Sequence, residues 1–421
     1  MSVSFPIDWC RSQFPALRRI VADQPVAFFD GPGGSQVPQR VIDAVGHYLG
    51  QTNANRGGRY ATAFESDELL ESAHATLAAF VGATQAESIV FGANMTTLTF
   101  ALSRALSRTW NSGDEILVTR LDHDGNVTPW VLAARDAGAT IRYVDICKSD
   151  CTLDLTDFAA KLSPRTRLVA VGCASNIVGT INPVREICRQ AHAVGAQVFL
   201  DAVHYAPHAL PAVEEWGCDW LACSAYKFFG PHIGILWGRP ELLKSLTPYK
   251  LRPVTEAIPG RWMTGTQNFE GIAGAQAGVG YLADLGRHLG TLSGAVDGTL
   301  RNHLVRAYGA IGEYERELSR LLLSGLAEIG QIRVLGLTDI GRVHERTPTV
   351  SFVHDTLPAI EIADELGRQG LFVGHGNFYA LQVTETLGLE PDGVIRVGLM
   401  HYNTAAEVNR LLAGIRELTQ S

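Results

Sequence analysis

No cysteine occurs beyond Cys223 in this 421-residue chain, so residues 224–421 offer no thiol for nucleophilic or redox chemistry. The seven that exist, Cys10, Cys147, Cys151, Cys173, Cys188, Cys218 and Cys223, are odd in number and irregular in spacing, which argues against a disulfide framework. Cys147 and Cys151 lack a second half for a zinc site, and no metal is expected. Apolar runs are strand-length, and none approaches the ~20 residues that cross a bilayer. The first residues, "MSVSFPIDWCRSQFPALRRI", show no basic stretch followed by an apolar core, so a cytoplasmic location is expected. Long runs of like charge are missing, and a formal net charge of −8 leaves no footprint for nucleic acid. Internal repeats and low-complexity segments are also missing. What remains is an ordinary globular composition, 46% hydrophobic and 19% charged, suited to a large core and small-molecule partners.

From about residue 75 to 240, helical and strand-like segments alternate. "LLESAHATLAAFVG", "NMTTLTFALSRALS", "VTPWVLAARDAG" and "PVREICRQAHAVG" have helical spacing; "SIVFGA", "DEILVTRLDH", "TIRYVDI", "RLVAVGCASN", "QVFLDAVH", "WLACSAYK" and "GILWG" read as strands. This alternation predicts an α/β fold with a mainly parallel sheet covered on both faces. Residues 300–421 change character. One long helical pattern leads to "IRVLGL", "TPTVSFVHD", the helix "AIEIADELGRQG", "VIRVGLMHYN" and a last helix, which suggests a smaller α+β lobe. Residues 247–271 are rich in Pro and Gly and read as an irregular connection or a functional loop.

Polar residues cluster at the predicted strand ends. Thr96 and Thr97 follow "SIVFGA", Asp122 to Asp124 follow "EILVTRL", Ser175 and Asn176 follow "LVAVGCA", Asp201 and His204 follow "QVFL", and Lys227 follows "WLACSAY". Open parallel sheets hold ligands at that edge. Taken singly, each has an ordinary reading: Thr96 as a helix cap, Asp201 as a turn former, His123 as a satisfied core histidine, Lys227 as a snorkelling lysine. Taken together they read otherwise. A helix N-terminus with hydroxyls suits a phosphate. An aspartate and a lysine at neighbouring strand ends are the two protein groups that pyridoxal phosphate chemistry needs.

The series "NMTT", "LDHDGNVTPW", "SNIVGT", "DAVHYAPH", "SAYKFFGP", "GTQN" and "RVGLMHYNT" resembles, in order and spacing, the cysteine desulfurases of the class V aminotransferase family. The resemblance runs from "FFDGPGGSQVP" to the last helix. It implies fold type I with pyridoxal 5'-phosphate as cofactor. The implied division is an N-terminal segment 1–30 belonging to the small lobe, a large cofactor domain 31–295 and a C-terminal small domain 296–421. Lys227 resembles the Schiff-base lysine, Asp201 the partner of the pyridine nitrogen and His123 the histidine stacked on the ring. Met95, Thr96, Ser224 and Tyr226 resemble the phosphate cup, with Tyr226 where histidine is usual. Asn176 and His204 match positions that contact the cofactor or the substrate, with His204 where glutamine is usual. Thr266 resembles the residue that reaches the phosphate of the other subunit in a homodimer, and Arg396 the fork for a substrate carboxylate.

One loop departs from the family. Where desulfurases carry the cysteine that accepts sulfur, this chain reads "FVGHGNFYALQ", with Tyr379 in the cysteine's place and Gly374 in place of a common arginine. His375 and Tyr379 are candidates for acid–base, substrate-positioning or loop-packing roles. Cys218 and Cys223 read as buried strand residues. The first expectation is therefore a desulfurase-like enzyme that works by β-elimination on cysteine or a cysteine-derived amino acid. Epimerisation, as in isopenicillin N epimerase-like relatives, and transamination stay open, as does a non-catalytic binding protein that keeps the fold. The expected partner is an amino acid, with no nucleic acid and no membrane.

Overall fold

The computed structural model describes residues 4–294 and 298–420. Seven strands, β1 (Ile89–Gly92), β2 (Glu115–Thr119), β3 (Thr140–Val144), β4 (Thr166–Gly172), β5 (Gln197–Asp201), β6 (Trp220–Ser224) and β7 (Gly234–Gly238), form one sheet in the order β1-β7-β6-β5-β4-β2-β3. Pairing is parallel from β6 through β3, while β7 runs against both of its neighbours. The reason is chain length. The connection 225–233 is too short for a parallel crossover, which takes about a dozen residues. The chain folds straight back after β6, and Lys227 sits in that return.

Strands β2, β6 and β7 are buried at every position, as a sheet covered on both faces requires. The crossovers are helices α2 (Met95–Leu106), α3 (Thr128–Ala137) and α4 (Val184–Ala193), flanked by α1 (Ala61–Val81). A further helix, α5 (Phe269–Ser293), lies in a stretch with no legible helical signal, because Gly271, Gly274, Gly278, Gly280, Gly286 and Gly290 depress its propensity. Packing overrides propensity here. A Cβ on Gly286 would lie 1.9 Å from the carbonyl oxygen of His303 on the next helix, α6 (Leu300–Ala327), so only glycine permits this crossing.

The smaller lobe has four antiparallel strands, β8 (Ile332–Leu335), β9 (Thr349–His354), β10 (Gly374–Gly376) and β11 (Val394–Gly398), in the order β8-β9-β11-β10. Helices α6, α7 (Ala359–Arg368) and α8 (Ala405–Gln420) pack on it. Val350, Phe352, Ile395, Val397, Leu411 and Ile415 form a core separate from that of the main sheet. Ala27–Phe28 pairs in parallel with Leu371–Phe372, and Ala27 and Phe29 enter this smaller core. The expected domain division at 295/296 lies outside the described residues. Among the described residues no helix is long and apolar enough to cross a membrane.

Helix α6 is tied to the main sheet by a polar contact in the interior. Glu315 Oε2 lies 2.9 Å from Nδ1 of His208, and both side chains are buried. Glu315→Ala leaves the imidazole without its partner. The expected loss is roughly 3 kcal/mol of stability, read as a lower urea midpoint, with Glu315→Gln losing less because it keeps an acceptor.

Candidate active site

Strand β1 runs in the same direction as β6, so five strands end along one edge of the sheet. The residues that follow them line one cavity of about 750 Å³. Met95 and Thr96 come from the end of β1, Asp122 and His123 from β2, Asn176 from β4, Asp201 and His204 from β5, and Ser224, Tyr226 and Lys227 from β6. The small lobe closes the cavity with Phe378, Tyr379 and Arg396. Thr266 and His375 do not line it. Thr266 is exposed on the loop before α5. His375 pairs with Ile395 on the opposite face of the ladder from Gly374 and Arg396, and is exposed.

Lys227 is held by the turn "DGPGG". Its Nζ donates to the carbonyls of Pro32 and Gly33, the latter at 3.1 Å, and stands 4.7 Å above the centre of the Tyr226 ring. The turn crosses β11 at Gly398, where a Cβ would fall 1.9 Å from the Pro32 ring. Burial, then the Arg396 guanidinium, push the Lys227 amine down to about 7, with Asp201 and Asp30 opposing. A substantial share of the amine is therefore neutral, and nucleophilic, near pH 7. The Tyr226 ring is itself stacked on His232, with centroids 4.8 Å apart.

Asp201 accepts the Val203 amide at 2.8 Å, and burial raises its carboxyl to about 6. Beneath it lies Asp122, which received no role from the sequence. Its oxygens accept the Thr119 hydroxyl at 2.8 Å and the Gly172 amide at 2.6 Å, and burial pushes it to about 8. His123 Nδ1 accepts the Gly125 amide at 2.9 Å, which puts the ring proton on Nε2. Burial, then Lys227 and Arg396, lower His123 to about 4, so the ring is neutral at pH 7.

Helix α2 points its N-terminus into the cavity. Asn94 caps it by accepting the Thr97 amide at 2.9 Å, and Ser224 Oγ accepts the Met95 amide at 2.9 Å. Among the described residues the Thr96 amide has no protein partner, as an anion-binding helix end requires. A Cβ on Gly234 would lie 2.4 Å from the Asn94 backbone, so β7 supports this turn only as glycine.

Arg396 Nη1 donates to the Asn176 carbonyl at 2.9 Å, and its guanidinium lies 3.6 Å from the centre of the Phe378 ring. Burial lowers Arg396 to about 9, which still leaves it charged at pH 7. The tip Phe378–Tyr379 has left-handed backbone, φ 54° and 59°. It is pinned to the large domain: Asn176 Nδ2 donates to the Phe378 carbonyl at 2.9 Å and the Asp124 amide to that of Tyr379 at 2.7 Å. Phe378 was missed in the sequence; the only signal is the preceding Asn377, whose side chain accepts the Tyr379 amide at 3.1 Å.

The sequence model of the family Aminotransferase class-V matches residues 27–289 and 305–411. The chain belongs to the class-V aminotransferase family. A curated class-V relative, the cysteine desulfurase of Dickeya dadantii (strain 3937), is 32% identical over 429 residues, covering 98% of this chain and 97% of that one. The apo cysteine desulfurase from Thermococcus onnurineus NA1 superposes with a TM-score of 0.87 at 26% identity, covering 100% of this chain and 99% of that one. A C-DES mutant with glycine covalently linked to its PLP cofactor has a TM-score of 0.76 at 21% identity, covering 97% of this chain and 99% of that one, and shows the shared fold alone. This class-V protein is a cysteine desulfurase-like, pyridoxal-phosphate-dependent enzyme of fold type I. Its cavity fits that cofactor by the chemistry of its donors: a depressed lysine, a buried carboxylate facing it, a neutral imidazole face and an unpartnered helix amide.

Proposed function

We propose that this enzyme breaks the Cβ–S bond of cysteine or a cysteine-derived amino acid by β-elimination. The observation that carries the proposal is a cavity equipped to labilise an amino acid's Cα–H but lined by no thiol. None of the seven cysteines, all of which lie among the described residues, reaches it. Cys173 lies between two lining residues but is itself buried, with its thiol pushed well above the ordinary range by burial. A persulfide therefore has no sulfur to form on at this site.

Lys227 would hold the cofactor, and its Nζ would take the α-proton of the substrate. When bound, pyridoxal phosphate supplies the electron sink for the pair left at Cα. Asp201 would pair with the ring nitrogen of the cofactor and keep it protonated. His123 covers the ring with a neutral face, and His204 and Asn176 flank it. Met95, Thr96, Ser224 and Tyr226 hold the phosphate, and in a homodimer Thr266 reaches the partner subunit's phosphate from the surface. Arg396 forks the substrate carboxylate, with Asn176 fixing one of its nitrogens. Tyr379 borders the space for the substrate side chain, and His375, which faces away, serves the loop rather than the substrate. The sulfur departs with the Cβ–S pair and one proton, and water completes the release of pyruvate and ammonium. Seven unpaired cysteines fit a reducing compartment, which supports a cytoplasmic location. The division into 1–30 with 296–421 and 31–295 is part of the same reading, and the separate small-lobe core supports it.

The test is a product assay on cysteine, cystine and S-substituted cysteines. Sulfide or thiol with an equal amount of pyruvate is expected. Alanine without pyruvate would mean desulfuration through a thiol outside this cavity. No turnover of any sulfur amino acid removes the C–S reading and leaves epimerase or aminotransferase.

A further inference from the structure

Two buried atoms on side chains of opposite charge have no hydrogen-bond partner: Nε of Arg396, which is buried, and Oδ1 of Asp30, which is half-buried. Buried polar atoms are nearly always satisfied, so an orphan in a native interior asks for a reason. These two belong to one place. Asp30 is bridged in parallel to Gly398 of β11. Gly398 and Arg396 are two residues apart on that strand and share a face, so the Asp30 carboxylate and the guanidinium rise on the same side of the ladder. Asp30 is the foremost charge acting on Arg396, ahead of Tyr226, and Arg396 is the foremost charge acting on Asp30.

The carboxylate is not needed for the turn it sits on. That turn uses the main-chain oxygen of Asp30, which accepts the amides of Gly33 at 2.7 Å and Gly34 at 3.3 Å. The guanidinium, meanwhile, is fixed on one face by Phe378 and at Nη1 by Asn176, while its buried Nε has no anchor. We propose that Asp30 is the positioning residue for Arg396: the two side chains make no ion pair with each other, and the carboxylate acts through its charge from the same side of the ladder, favouring the orientation that keeps the Nη edge turned into the cavity toward a substrate carboxylate. Asp30 also offsets the mutual repulsion of two cations, Arg396 and Lys227, that share one buried space.

This inference rests on the proposed role of Arg396, and the test separates the two. Holoenzyme absorbance is titrated with L-alanine and with ethylamine, which differ by the carboxylate. In the wild type alanine binds more tightly than ethylamine; equal binding sinks the role given to Arg396, whatever Asp30 does. In Asp30→Asn the alanine midpoint rises about tenfold while the ethylamine midpoint stays put, the size expected for a misaligned charged fork. With a productive substrate, KM rises and kcat changes little. Equal shifts for both amines, or no shift for either, overturn the positioning role. If Asp30→Asn does not fold, Asp30→Glu, which keeps the charge but moves it by one methylene, is read in the same two titrations and must show the same asymmetry at smaller size.

Discussion

Lys227→Ala lowers turnover of every amino-acid substrate by about 10³-fold or more, since the proposed function makes one residue both the covalent anchor and the proton acceptor at Cα. Two further readouts accompany the loss. Borohydride reduction of the wild-type holoenzyme fixes the cofactor on Lys227, and the variant yields no such label. Uptake of pyridoxal phosphate by wild-type apoenzyme quickens as pH rises through about 7, because burial brings the amine's proton loss into that range and only the neutral amine attacks an aldehyde. The sign is set by the lowered value: more neutral amine above it, less below. An uptake rate that climbs only near pH 10 would mean the lysine is solvated and the cavity is wrong. Label appearing on another lysine would remove Lys227 from the centre of the chemistry.

Asp201→Asn is the second large effect, about 10²- to 10⁴-fold on kcat. The amide cannot hold the proton on a pyridine nitrogen as a carboxylate does, so the α-proton becomes harder to remove. The contrast is with Asp122→Asn. Asp122 is bonded by Thr119 and Gly172 and is raised to about 8, so near pH 7 it is mostly uncharged already, and an isosteric neutral amide changes the local field little. A loss within about tenfold is expected there. The two variants are compared by kcat and by the holoenzyme's visible spectrum. Equal losses would show that the pair acts as one shared site and that the roles given to each are not separable.

The sequence reads the floor of the cavity well and its roof poorly. Met95, Thr96, His123, Asn176, Asp201, His204, Ser224, Tyr226 and Lys227 each follow a strand whose apolar run is plain, and parallel-sheet geometry sends such residues to one edge. Arg396 also lines the cavity. What escaped depends on contacts between distant segments. The side chain of Asp30 looks like part of a glycine-proline turn until its bridge to Gly398 is seen. Helix α5 is hidden by glycines whose purpose is the close crossing at His303. His375 and Tyr379 are four residues apart in one loop, but strand parity turns the first outward while the left-handed tip carries the second to the cavity. Thr266 is exposed and does not line the cavity.

The tip at 378–379 has a consequence for how the enzyme handles each turnover. Its two carbonyls are read by Asn176, which also fixes Arg396, and by Asp124, the residue next to His123. The small lobe cannot withdraw while those bonds stand. Once they break, Arg396 loses its Asn176 tether in the same movement that loosens the strand end carrying His123. On the roles proposed for Arg396 and His123, substrate recognition and ring coverage form one equilibrium rather than two settings, and a ligand that engages only Arg396 also favours the closed ring cover.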